Sequence, residues 1–110
     1  MIFALSLGVM ASAQENYGEI VGKVYESDGV SPAIGARVWV NTGTSILGSV
    51  ADLDGRYRIS TVPSGTYEVN FAYVGDTVKV VNQIVKPDSY SNVKDIVFEG
   101  KILTTVTIYY

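Results

Sequence analysis

Ala36, Val38 and Val40 alternate with Arg37, Trp39 and Asn41, and the same two-residue period recurs down the chain. Tyr57 and Ile59 oppose Arg56 and Arg58, and Tyr67, Val69, Phe71 and Tyr73 form a longer apolar row with Glu68 and Asn70 opposite. Successive side chains of a strand point to opposite faces, so each stretch reads as a strand with one buried side. The pattern predicts seven strands: Tyr17 to Glu26, Ala36 to Asn41, Ile46 to Ala51, Arg56 to Ser60, Thr66 to Val74, Thr77 to Val85 and Asn92 to Glu99. Short turn signals separate them: Asp28-Gly29, Thr42-Gly43, Asp54-Gly55, Pro63-Ser64-Gly65, Gly75-Asp76 and Pro87-Asp88-Ser89. No segment holds a helical period over a useful length, so an all-β sandwich follows.

Two of the turns carry specific expectations. Asp54-Gly55 offers two residues that tolerate positive φ, the requirement of a two-residue hairpin turn, and predicts a hairpin between the strands on either side. Val62-Pro63-Ser64-Gly65 places Pro second and Gly fourth, the preferences of a type I turn.

The first thirteen residues change the picture of where the chain works. Residues 1–13 are apolar and uncharged, too short to span a bilayer as a helix, and end in Ala11-Ser12-Ala13, the small-x-small pattern that signal peptidase accepts. The expectation is an exported protein whose mature chain begins at Gln14, although no basic residue precedes Lys23 and a buried N-terminal element is the alternative. Residues 14–100 then make one sandwich domain, and residues 101–110 a β-prone C-terminal segment rich in Thr, Val, Ile and Tyr. The chain has no cysteine, so it must hold together by packing rather than disulfides. Net charge is −3 with the signs interspersed, which argues against a nucleic-acid partner, and beyond the leader no apolar run is long enough for a membrane helix.

Ile20-Val21-Gly22-Lys23-Val24, Ile34-Gly35-Ala36-Arg37-Val38-Trp39-Val40, Ala51-Asp52-Leu53-Asp54-Gly55-Arg56-Tyr57-Arg58-Ile59, Val62-Pro63-Ser64-Gly65-Thr66-Tyr67 and Tyr73-Val74-Gly75 together resemble the carboxypeptidase regulatory-like domain over about residues 17–99. The resemblance implies a seven-stranded antiparallel Greek-key sandwich of transthyretin or immunoglobulin-like type. It also implies a place beside metallocarboxypeptidase catalytic domains or, as the leader favours here, at the periplasmic N-terminus of SusC/RagA-type TonB-dependent outer-membrane receptors in Bacteroidetes. Leu103-Thr104-Thr105-Val106-Thr107-Ile108 is similar to the segment that follows the domain in such receptors near the TonB box, with Thr104 and Thr105 at usually acidic positions and Tyr109-Tyr110 in place of Thr-Gly. Val106 and Ile108 are therefore candidate contacts for a TonB-type protein or a receptor plug, since an extended β-prone segment can add to a sheet edge. No barrel strands follow within the 110 residues, so this chain does not itself transport.

Candidate chemistry is sparse. With no His and no Cys, the usual general base, thiol nucleophile and zinc ligands are missing, and neither catalysis nor a cofactor or metal is expected. Asp52 and Asp54 are the carboxylates at suggestive spacing, but an EF-hand loop needs Gly sixth and Glu twelfth, whereas Gly55 is fourth from Asp52 and Pro63 twelfth. They read as turn chemistry, with Asp52 accepting backbone N–H bonds. Trp39 is the remaining candidate: facing outward, it would either stack on a sugar or pack across strands against Tyr25 or Arg58. Two functions stay open. One is a non-catalytic accessory domain of an outer-membrane receptor for glycan uptake; the other is a free-standing secreted sandwich that binds carbohydrate or a surface protein.

Overall fold

The computed structural model describes residues 16–100, which form two packed sheets. Eight strands run in the order β1 (Tyr17–Tyr25), β2 (Arg37–Asn41), β3 (Ile46–Val50), β4 (Arg56–Pro63), β5 (Gly65–Tyr73), β6 (Asp76–Val85), β7 (Tyr90–Asn92) and β8 (Ile96–Val97). The first sheet has the order β4-β1-β7, with β8 also paired to β1; the second has the order β3-β2-β5-β6. The predicted sandwich is present, and six of its seven strands fall at the expected places. The seventh, expected as Asn92 to Glu99, is split into β7 and β8.

The alternation read from the sequence sorts side chains as expected. Ala36, Val38 and Val40 are buried while Arg37 and Asn41 are exposed; Tyr57 and Ile59 are buried while Arg56 and Arg58 are exposed. The inner faces meet in one core whose largest enclosed side chains include Phe71, Phe98, Ile20 and Ile59. Tyr57 of β4 meets Phe71 of β5 edge to face, with ring centroids 5.6 Å apart, and so joins the sheets across the middle.

The two sheets are built differently. The second is antiparallel throughout; β2–β3 and β5–β6 are local hairpins, and the β2–β5 pairing joins them. Val74 and Gly75 both have positive φ between the paired residues Tyr73 and Asp76, so the two-residue turn with both central residues left-handed lies here. The first sheet gathers distant strands: β1 pairs antiparallel with β4 but parallel with β7 and β8. The all-antiparallel expectation is corrected in this sheet. The chain returns from β6 through residues 86–89 to the starting end of β1, where the Asp88 N–H donates to the Tyr17 carbonyl and the Glu19 N–H to that of Ser89, and it must then run alongside β1.

The Asp54-Gly55 hairpin is also corrected. β3 and β4 are not partners; they are edge strands of different sheets, and residues 51–55 carry the chain from one to the other. Gly55 has φ of 78°, but Asp54 is not in the left-handed region, so the geometry is not the one a two-residue hairpin needs. Instead, Asp52 Oδ1 accepts the N–H groups of Asp54 and Arg56, both at 2.9 Å, and the Gly55 N–H donates to the Asp52 carbonyl. The Pro63 region likewise crosses between sheets, with Ser64 alone separating β4 from β5. The Tyr67 hydroxyl donates to the Pro63 carbonyl at 2.6 Å and fastens that corner.

Candidate functional site

The outer face of the second sheet contains Trp39. In register, Trp39 lies between Gly48 of β3 and Asn70 of β5, and Arg37 between Val50 and Ala72. The packing partners considered from the sequence, Tyr25 and Arg58, belong to the other sheet, so that arrangement does not occur. Trp39 is partly buried, whereas Ile46 and Val50 on β3 keep 65% and 59% of their surface. Together with Arg37 and Gly48 they line an open depression of about 470 Å³. β3 is an edge strand, and none of its five residues is charged or is proline. Native sheets commonly guard such edges with Lys, Pro or a bulge. At the far side of the same face, Lys79 Nζ approaches Glu68 Oε2 at 3.5 Å.

The outer face of the first sheet presents a different surface. A depression of about 870 Å³ there, bordered by Ser49 and Val50 of β3, is lined among others by Lys23, Arg56, Arg58, Tyr90, Asn92 and Asp95. The register explains the gathering: Arg58 pairs with Val21, which pairs with Asn92, while Tyr90 lies opposite Glu19. Arg58 Nε is 3.1 Å from Glu19 Oε1, an ion pair without hydrogen-bond alignment, and the guanidinium carbon is 5.9 Å from the Tyr90 ring centroid. One row along, Lys23 and Arg56 face each other directly across the strands.

Tyr57 belongs to the floor of this depression. Gly22 is its in-register partner on β1, and a Cβ there would collide with the Tyr57 hydroxyl, which occupies the space the glycine leaves. The hydroxyl is buried and has no hydrogen-bond partner. Burial first, and the nearby Asp95 charge second, push the phenol's pKa far above its usual range, so it stays protonated. Sequence reasoning missed this face. The alternation put Arg56 and Arg58 outward, but no local signal said that β1 and β4 are neighbours, which brings Lys23 beside them, or that Tyr90 joins them.

Chemically, the described residues are poor in reactive constellations. Among them no group of three or more His, Cys, Asp or Glu is placed to hold a metal ion, and no helix is long and apolar enough to cross a membrane. The carboxylates singled out in the sequence, Asp52 and Asp54, sit in the crossover turn; Asp52 is committed to backbone N–H groups, which hold its pKa below the usual aspartate range. Val106 and Ile108 lie outside the described residues.

Two sheets packed over one core define a β-sandwich domain. The chain belongs to the CarboxypepD_reg-like domain family, whose model matches residues 20–108. That family is one of non-catalytic regulatory or binding sandwiches. Solved structures share the fold. One is an N-terminal interface mutant of a type II cohesin–X-dockerin complex from Acetivibrio cellulolyticus, at 21% identity and TM-score 0.59, covering 74% of this chain and 56% of that one. Another is a candidate carbohydrate-binding protein from Bacteroides uniformis, at 20% identity and TM-score 0.54, covering 73% and 40%. A third is a candidate carbohydrate-binding protein from Pseudomonas aeruginosa, at 14% identity and TM-score 0.55, covering 81% and 95%. The chain thus spans little more than half the length of the first of these. No curated protein sequence matches it.

Proposed function

We propose that this domain is a non-catalytic interaction module, the N-terminal periplasmic extension of a TonB-dependent outer-membrane receptor for glycan uptake. Its protein partner would be the receptor plug or a TonB-type protein. The observation that carries the reading is the edge of β3, free among the described residues, uncharged, five residues long, with Ile46 and Val50 exposed on it and Trp39 beside it. Such an edge can accept an added strand through its unpaired backbone groups. The signal-like leader at residues 1–13 and the β-prone residues 103–108 supply the receptor setting. An antiserum against residues 16–100 tests this: it should detect, in outer-membrane fractions, a polypeptide large enough to carry a barrel. A product of about this chain's own size in the medium would overturn the receptor reading.

The second reading, a free-standing secreted sandwich that binds carbohydrate or a surface protein, is favoured by the partial exposure of Trp39 above an open depression. Trp39 is the only tryptophan in the sequence, so its fluorescence reports contact directly. A saturable spectral change with a neutral oligosaccharide supports this reading, and an unchanged spectrum up to millimolar sugar counts against it.

A further inference from the structure

The geometry points to a second recognition site, for an acidic sugar, in the depression on the outer face of the first sheet. It goes beyond the interaction role proposed for the β3 edge and does not rest on it: its charged residues come from β1, β4 and the neighbouring turns, and Ser49 and Val50 of β3 only border it.

Lys23 and Arg56 carry the argument. They are paired residues of β1 and β4, so their side chains leave the same face side by side. Like charges directly opposite one another destabilise a sheet. Among the described residues, the ion pairs within 4 Å are Arg58–Glu19 and Lys79–Glu68, so neither cation of the Lys23/Arg56 pair is neutralised in that way. The depression carries Lys23, Arg56 and Arg58 against Asp52 and Asp95, and Arg58 is already paired with Glu19, so Lys23 and Arg56 are the cations that face a ligand. A bound carboxylate would give Lys23 a counter-charge and would share Arg56 with Asp52, whose carboxylate already feels that charge.

A sugar ring accounts for the rest of the lining better than a peptide does. Tyr90 is 61% exposed at the rim, its ring held by Arg58, and offers a flat apolar surface beside the cations. Asn92 and Asp95 supply acceptors and donors suited to ring hydroxyls. A strand-like acidic peptide would instead pair along the edge of β4 or β3, on the side of the depression away from Tyr90 and Asn92 of β7, and would leave those two without a role.

The test is an NMR titration of the 15N-labelled chain with trigalacturonate, run beside maltotriose, a hexapeptide of Asp and Glu, and inorganic sulfate. Trigalacturonate should saturate and move the amides of residues 21–23, 56–58 and 90–95. Lys23→Met and Arg56→Gln should each weaken it about tenfold, the worth of one charge-assisted bond. Both variants should melt no lower than the parent, since each removes a like-charge opposition. Tyr90→Ala should weaken the sugar while leaving sulfate unaffected. The proposal fails if trigalacturonate does not saturate, or if both charge variants bind it as well as the parent. It fails equally if the acidic peptide, maltotriose or sulfate alone binds as tightly at the same amides.

Discussion

The two sheets of this sandwich have the same number of strands but were assembled by different rules. The second is made of sequence neighbours: β2 turns into β3, β5 turns into β6, and only the β2–β5 pairing closes a longer loop. The first draws its members from both ends of the described chain, with β1 in the middle taking β4 on one side and β7 and β8 on the other. Each approach of the chain to the first sheet is a crossover, and each crossover is fixed by a side chain or a glycine rather than by a hairpin ladder. The lesson is that stability in the first sheet is concentrated at a few corners, whereas in the second it is spread along ladders.

Gly55 gives the largest test of that difference. Its carbonyl accepts the Val24 N–H at 2.8 Å, and a Cβ at this position would lie 2.5 Å from the Val24 carbonyl and 3.1 Å from Pro32 Cβ. Gly29, also at positive φ, has nothing within 4 Å of such an atom. Gly29→Val should cost only the backbone strain, about 1–2 kcal/mol. Gly55→Val should cost that and about 1–3 kcal/mol more for overpacking against β1. Urea denaturation of the two variants measures the gap. Equal midpoints would mean that the crossover at residues 52–55 can move away from β1, and that the corners do not govern the first sheet.

The next test compares two tyrosines, Tyr57 buried and Tyr67 partly buried, that differ in whether the hydroxyl has a partner. Tyr67 donates to the Pro63 carbonyl at the β4–β5 corner, while Tyr57 Oη has no partner in the core. Tyr67→Phe should therefore lower stability by about 0.5–1.5 kcal/mol. Tyr57→Phe should be neutral or slightly stabilising, because it removes a desolvated hydroxyl and keeps the edge-to-face contact with Phe71. Thermal melts of both suffice, and a larger loss in Tyr57→Phe would show that its hydroxyl has a partner in solution.

How far the sequence disclosed all this follows the same division. Strand positions in the second sheet were legible because alternation and turn chemistry are local; Ala36 to Val40 and Val69 to Phe71 announce their buried side within a few residues. The partners in the first sheet were not legible, because nothing near Tyr17 says that it will run beside Pro63, or near Tyr90 that it will lie opposite Glu19. The same gap hid the charged depression, whose residues come from four strands, β1, β3, β4 and β7, and the turns beside them. Asp54-Gly55 misled for a related reason. A turn motif fixes local backbone geometry, but not whether the next strand pairs with the last one or crosses to the other sheet. Trp39 was correctly read as outward, yet its neighbours depend on register and were misassigned.

Within the second sheet, the β5–β6 turn supplies a smaller effect of opposite sign. Val74 has φ of 45° and is 67% exposed, a strained conformation for a β-branched residue, and it precedes Gly75 in a turn that favours Asn-Gly. Val74→Asn should raise stability by about 0.5–1 kcal/mol. A matching substitution for Gly29, in a loop that closes no ladder, has no such strain to relieve. If Val74→Asn fails to raise the melting temperature, the hairpin is not where this sheet's ladder is limited.

The smallest expected effect is a change in acid sensitivity at the crossover. The N–H groups of Arg56 and Asp54 hold the Asp52 carboxylate in its charged form, so its pKa lies below the ordinary aspartate value in the folded chain. A group whose folded pKa is depressed contributes fully above its unfolded pKa, and that contribution is lost as pH falls through the folded value. Asp28 is lowered in the same way, first by the Ser31 hydroxyl, but in a loop at the end of β1 and not at a sheet-to-sheet corner. Asn at either position keeps an acceptor and removes the titration. Asp52→Asn should therefore flatten the decline of the melting temperature below about pH 4, and Asp28→Asn should flatten it less if the corners dominate. Melts taken every half unit of pH would decide it. Equal flattening in the two variants would place the acid response in the individual carboxylates and remove the corner from the account.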